Sequence, residues 1–316
     1  RLRKPLMLLD IVMIVAGLVL LVLAGDALVK GAVNLSLRLG VPALIVGLTI
    51  VAFGTSAPEL LVSVDAVLDN APTLALGNVV GSNIANILLV LGIPALITAV
   101  PVARSLSGDF LIMIASAVLF IALAWVGPFA WWHGLVLLAG LGAMLWNSYA
   151  RAQAHRAGAE PDLEGVEEGI SGLKIALYLI AGIIGLPIGA NLLVGGATDI
   201  AMQLGVSEAV IGLTLVAVGT SLPELATTVA AALRREAGVA MGNVIGSNIF
   251  NLLGIIGIAS LVGPIPVPEQ MLHLDLWLML GVSAALGLFV YTGRSIGKVS
   301  GVILIALYVV YVVQMF

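Results

Sequence analysis

The sequence predicts an all-α membrane protein, with ten transmembrane helices arranged as two inverted five-helix repeats. Three observations lead there. Hydrophobic residues fill 61% of the 316 positions and charged residues only 9%, with a mean hydropathy of +1.20; a soluble chain of this length could not cover its surface with so few charges. Apolar stretches near the roughly 20 residues that one bilayer crossing needs recur ten times. Two polar motifs inside those stretches recur at one constant spacing of 165 residues.

The segments follow in order. The first, residues 7–29, is too long for a removable signal peptide and lacks a small-residue cleavage site. Met7 is the expected start of the native chain, with Arg1, Arg3 and Lys4 ahead of it. Segments 2 (41–68) and 3 (73–102) hold polar motifs inside apolar runs. Segments 4 (110–126) and 5 (132–149) complete a first half, residues 1–150, and Trp131 and Trp132 suit an aromatic belt at the membrane surface. Residues 151–172 carry Glu160, Asp162, Glu164, Glu167 and Glu168 and form the one long polar stretch, a solvated linker whose acid spacing matches no EF-hand loop. The second half, 173–316, holds segments 6 to 10 at 173–200, 209–233, 239–262, 274–291 and 299–315. Segments 3 and 6 exceed one crossing, which permits tilt or a break.

Charge placement gives an orientation and removes several functions. Lys30, Arg38, Arg104, Arg151, Arg156, Lys174, Arg234, Arg235, Arg294 and Lys298 all follow odd-numbered segments. The positive-inside rule then puts those loops and the linker in the cytoplasm and both termini outside, in a multi-pass protein of the cell membrane. A net charge of −4 offers no basic stripe for nucleic acid. The absence of cysteine excludes disulfides, thiolate metal sites and cysteine nucleophiles. His133, His155 and His273 are scattered at segment ends or in a loop, so no histidine metal site is expected.

The internal symmetry is a duplication. GTSAPE at 54–59 returns as GTSLPE at 219–224, and GNVVGSNIAN at 77–86 returns as GNVIGSNIFN at 242–251. Without a gap, the same offset pairs Gly17 with Gly182, Gly31 with Gly196, Gly40 with Gly205 and Gly47 with Gly212. Across 47–59, ten of thirteen positions are identical in the second copy, which chance does not produce. Five spans per unit is an odd number, so the second unit enters the membrane from the opposite side. Inverted repeats are the architecture of secondary transporters, whose sites lie where the repeats meet near the midplane.

Glu59 and Glu224 lie inside segments 2 and 7, and no intramembrane Lys or Arg is placed to pair with them. A carboxylate at the bilayer centre costs roughly 2.5–3.5 kcal/mol on insertion scales. Either the pair is protonated or it binds cations. A neutral Glu bridging two helices explains a single case, but two at equivalent positions with identical neighbours favour cations. Pro58 and Pro223 offer no N–H to the carbonyls of Gly54 and Gly219, four residues earlier, and so weaken the helix there. Freed carbonyls at membrane depth need protein, water or an ion as partner, and hard cations such as Ca²⁺ and Na⁺ take oxygen. Thr55, Ser56, Thr220 and Ser221 add hydroxyls. On segments 3 and 8, Asn78, Ser82 and Asn86, and again Asn243, Ser247 and Asn251, stack at every fourth residue on one helical face. Gly77 and Gly81, with Gly242 and Gly246, are small-residue packing motifs that would let segment 3 approach segment 2. Asp26 reads as interfacial, Asp65 as solvated or lining an outer access path, and Asp109, Asp199, Glu208, Glu236, Glu269 and Asp275 as segment flanks.

These two motif pairs resemble the alpha repeats of the cation/calcium antiporter superfamily, specifically prokaryotic sodium/calcium exchangers. The resemblance spans nearly the whole chain. It implies that Glu59 and Glu224 are shared Ca²⁺ and Na⁺ ligands, with the backbone carbonyls of Thr55 and Thr220 completing the Ca²⁺ site. Ser56, Ser221, Ser82 and Ser247 and the carbonyls of Ala52 and Ala217 would line flanking Na⁺ sites, with Asn86 and Asn251 in the middle. By the same resemblance, segments 1 and 6 slide past a rigid core. One departure is Asn251, where potassium-coupled relatives typically carry aspartate, so potassium coupling is not expected.

The resulting expectation is an electrogenic antiporter that exchanges Ca²⁺ for Na⁺ by alternating access, acting as a monomer without a cofactor. A Ca²⁺/H⁺ antiporter is the near alternative, because a desolvated carboxyl can also carry a proton. A cation channel could use the same oxygens, but channels gather identical elements around a pore. An intramembrane enzyme is disfavoured: no His or Lys lies beside Ser56 or Ser82 to activate a nucleophile.

Overall fold

The computed structural model describes residues 4–158, 170–205 and 217–314. Their order is α1 (Lys4–Leu39), α2 (Ala43–Thr55), α3 (Ala57–Leu68), α4 (Pro72–Ile97), α5 (Ser107–Val126), α6 (Trp131–Gly158), α7 (Gly172–Gln203), α8 (Ala217–Thr220), α9 (Leu222–Leu233), α10 (Ala237–Val262), α11 (Met271–Thr292) and α12 (Lys298–Val313). With α2 and α3 forming one bent span, and α8 and α9 another, these helices make ten segments. The first residues of segment 7 lie outside the described residues. Among the described residues, six helices are each long and apolar enough to cross a membrane alone, and the α2–α3 pair passes as a seventh, bent by 44°.

Several boundaries move from their predicted places, for local reasons. α1 continues ten residues past the expected end of segment 1, so Lys30 and Arg38 sit in helix rather than loop. Asn34 donates to the Lys30 carbonyl at 2.8 Å and Ser36 to that of Val33 at 2.7 Å, so the polar side chains are satisfied on the helix itself. Gly40, at φ 63°, then ends it in a conformation that favours glycine. Segment 3 stops at Ile97 rather than 102, because Thr98 turns extended and Val100 pairs with Ile296. α6 runs on to Gly158, well beyond 149. α7 stays continuous through Pro187.

The inversion is visible in two small contacts. Val100, after segment 3, exchanges backbone hydrogen bonds of 3.0 and 2.9 Å with Ile296, after segment 9. Ile265, the repeat equivalent of Val100, exchanges bonds of 2.8 and 2.9 Å with Phe129, after segment 4. Loops on either side of segment 4 lie at opposite ends of the molecule. The two equivalent loops therefore lie at opposite ends as well, and the halves are antiparallel.

Burial separates a core from a periphery. Of the most apolar eighteen-residue stretch, 83% is buried in α10 and 72% in α4, but only 22% in α1 and in α7. α1 and α7 pack along each other, and Leu8, Val12, Val15, Val19 and Val22 of α1 face outward as lipid-facing side chains do. Their seam needs glycine: a Cβ on Gly17 would fall 2.6 Å from the Gly189 carbonyl oxygen, and one on Gly189 3.0 Å from that of Gly17. A second close approach crosses between the halves. Gly242 and Gly246 of α10 lie against α2, where a Cβ would come within 2.7 Å of the Leu44 oxygen and 2.5 Å of the Leu48 oxygen. The glycine motif of segment 8 thus meets segment 2 of the other repeat, whereas the sequence suggested a contact within one repeat. Residues 209 and 213, equivalent to Leu44 and Leu48, lie outside the described residues.

Candidate ion-binding site

The site begins at two helix breaks. Ser56, at φ −87° and ψ 6°, separates α2 from α3, and Ser221, at φ −86° and ψ 3°, separates α8 from α9. Each break precedes a proline, Pro58 or Pro223, at the second position of the new helix. Proline suits that position, where its missing N–H is not needed, and it leaves the earlier carbonyl without its helical donor. Each new helix carries its glutamate at the third residue, a placement that favours an acidic group. Glu59 is 1% exposed and Glu224 fully buried.

Groups from both halves surround them. Ser56 donates its hydroxyl to Glu224 Oε1 at 2.9 Å, and the Ser247 hydroxyl lies 3.5 Å from the same oxygen. The Thr55 hydroxyl lies 3.2 Å from the Ala52 carbonyl, 3.0 Å from Asn243 Oδ1 and 3.4 Å from Ser247 Oγ. The Ala52 carbonyl also accepts from the Ser56 N–H at 3.0 Å. Ser82 is buried on α4, and Thr220 is half-buried at the end of α8. Ala217 opens α8; its side chain lies outside the described residues.

Each half braces its glutamate-bearing helix in the same way. Asn78 donates to the Glu59 carbonyl at 3.2 Å and to Ser63 Oγ at 3.0 Å. Asn243 donates to the Glu224 carbonyl at 3.3 Å and to Thr228 Oγ1 at 3.1 Å. Both residues stood on the predicted helical face, but their grip on α3 and α9 through Ser63 and Thr228 escaped the sequence reading. So did Asn83 and Asn248, which bond across the halves: Asn86 donates to Asn248 Oδ1 at 3.1 Å and Asn251 to Asn83 Oδ1 at 3.3 Å. Both lie inside the duplicated GSN motif, which held the signal. Counting only every fourth residue passed over it.

Among the described residues, nine buried side-chain polar atoms have no hydrogen-bond partner, and six belong to this site: both oxygens of Glu59, Glu224 Oε2, Ser221 Oγ, Asn86 Oδ1 and Asn251 Oδ1. Buried polar groups are almost always paired, and such orphans call for an ion or water as partner. All six are oxygens, the donor type of hard cations.

Elsewhere the structure corrects one expectation. Asp109, read as a flank, is buried in the first turn of α5 and makes a two-pronged ion pair with Arg151 of α6, one arm at 3.1 Å. Asp26 is bonded to Lys30 at 2.9 Å and paired with Arg234, the residue after α9. Asp65 is exposed.

Inverted helical repeats that meet at oxygen-rich breaks in two helices define a secondary cation transporter. The chain belongs to the sodium/calcium exchanger protein family, which it matches over residues 9–150 and 174–316, and it is a transporter of cations and calcium rather than an enzyme. It is 34% identical to a sodium/calcium exchanger of Methanosarcina acetivorans, over 97% of this chain and 98% of that one. It is 36% identical to the inner membrane protein YrbG of Escherichia coli, over 92% and 93% of the two chains. Solved structures of the sodium-calcium exchanger NCX_Mj superpose with a TM-score of 0.84 at 34% identity, covering 97% of this chain and 99% of that one.

Proposed function

We propose that the protein exchanges Ca²⁺ for Na⁺ by alternating access, with Glu59 and Glu224 as the ligands both ions share. The orphaned oxygens between the halves carry this reading. Thr55, Thr220, Ser56, Ser221, Ser82, Ser247, Asn86 and Asn251, with the carbonyls of Ala52 and Ala217, complete the donor set; the Ala52 oxygen would share its lone pairs with the hydrogen bonds it already accepts. Two carboxylates are neutralised by one Ca²⁺ or two Na⁺. The empty, doubly negative site is costly to carry through the membrane, so the two ions alternate. Any further Na⁺ per cycle moves net charge, which makes exchange electrogenic. The glycine seam between α1 and α7 supports a sliding pair beside a buried core.

The halves divide at 150 and 173, with residues 151–172 as a cytoplasmic linker and both termini outside the cell. The protein works as a monomer, and Ca²⁺ and Na⁺ are cargo rather than cofactors. In proteoliposomes at clamped pH, an outward-directed Na⁺ gradient should drive ⁴⁵Ca²⁺ uptake at least about tenfold above the gradient-free rate, equivalent to about 1.4 kcal/mol or more. Uptake that ignores Na⁺ and follows an imposed proton gradient would assign the same carboxyls to Ca²⁺/H⁺ exchange instead.

A further inference from the structure

Asn83 and Asn248 do work that the ion-binding reading alone does not give them. A side-chain amide presents either an oxygen, which attracts a cation, or an NH₂, which repels one, and its hydrogen bonds decide which. Asn86 and Asn251 each commit Nδ2 to the opposite half, to Asn248 Oδ1 at 3.1 Å and to Asn83 Oδ1 at 3.3 Å. That leaves their own Oδ1 atoms at the opposite edge of the amide, buried and without a partner among the described residues. The turns that carry Asn86 and Asn251 pack against α9 and α3, the helices of Glu224 and Glu59.

The two outer amides are fixed in turn. Asn83 Nδ2 points to the Asn248 carbonyl at 3.4 Å and to Met279 Sδ at 3.7 Å, and Asn248 Nδ2 to Met113 Sδ at 3.8 Å. With their NH₂ groups so placed, Asn83 and Asn248 offer only oxygen to Asn251 and Asn86. We propose that Asn83 and Asn248 are positioning residues, each holding the amide oxygen of the other half's asparagine toward the buried glutamates. The proposal rests on those glutamates being the ion site. It also makes each half the guarantor of the other's ligand.

The test is a double-mutant cycle on the full chain, read as equilibrium ⁴⁵Ca²⁺ binding in detergent and as KM and maximal rate in proteoliposomes. N83A should weaken Ca²⁺ binding and raise KM by about threefold to tenfold, the range expected for a buried intramembrane hydrogen bond, while the maximal rate stays within about twofold. In an N251A background, the same change should add nothing, because its effect passes through Asn251. Multiplying effects, or an unchanged KM in N83A, would overturn the proposal, since a packing role acts without Asn251. If N83A does not elute as folded protein, Asn83→Leu, which fills the same space without an accepting oxygen, and the mirror cycle of Asn248 with Asn86 are judged by the same rule. Wild-type protein that binds no Ca²⁺ would remove the ion-site reading itself, a different outcome from binding with independent mutational effects.

Discussion

Arg151 and Asp109 show how a single residue can matter outside the proposed ion site. The Asp109 side chain is only 2% exposed while that of Arg151 is 38% exposed, so the two partners are not equivalent. Removing Arg151 strands a buried carboxylate; removing Asp109 frees a cation that can reach water. Arg151→Met should therefore lower stability by about 3 kcal/mol, and Asp109→Asn distinctly less, measured by thermal unfolding in detergent. Equal losses would mean that the pair is not buried as described. At the proposed ion site, the buried Glu59 and Glu224 were legible in the sequence, because a carboxylate in an apolar run demands a partner wherever the chain goes. Asn83 and Asn248 were not, because their partners are each other's neighbours in the opposite half, and no helical periodicity encodes a contact across 165 residues.

Helices set the next level. The breaks at Ser56 and Ser221 were legible, since proline cannot donate to the preceding turn. The full lengths of α1 and α6 were not: polar residues that bond to their own helix look like loop in a hydropathy count. The α1–α7 seam makes its own prediction. Gly189→Val places a branched side chain against the Gly17 backbone and should destabilise the fold by about 1–3 kcal/mol. Gly142→Ala, at an exposed α6 position with nothing within 4 Å among the described residues, should be neutral in the same melting assay. Similar melting temperatures for both would show that α1 and α7 do not approach as closely as their glycines allow.

For the whole molecule, duplication and inversion were legible because an odd number of spans per repeat leaves no other topology. The pairing of Val100 with Ile296 and Phe129 with Ile265 is a structural consequence that no local pattern announces. Sidedness can be read directly, because the chain has no cysteine to interfere. Ser295→Cys, between α11 and α12, should react with a membrane-impermeant maleimide only from the cytoplasmic side, and Glu269→Cys, between α10 and α11, only from outside. The reverse pattern would invert the assigned orientation without touching the fold.

The most direct measurement of the central claim is calorimetric Ca²⁺ binding to the purified wild type, Glu59→Gln and Glu224→Gln, with and without Na⁺. Two shared carboxylates require that each substitution weaken Ca²⁺ binding by at least about a hundredfold, near 2.7 kcal/mol, and that Na⁺ displace Ca²⁺ from the wild type. Wild-type affinity in either variant, or Ca²⁺ binding indifferent to Na⁺, would contradict it.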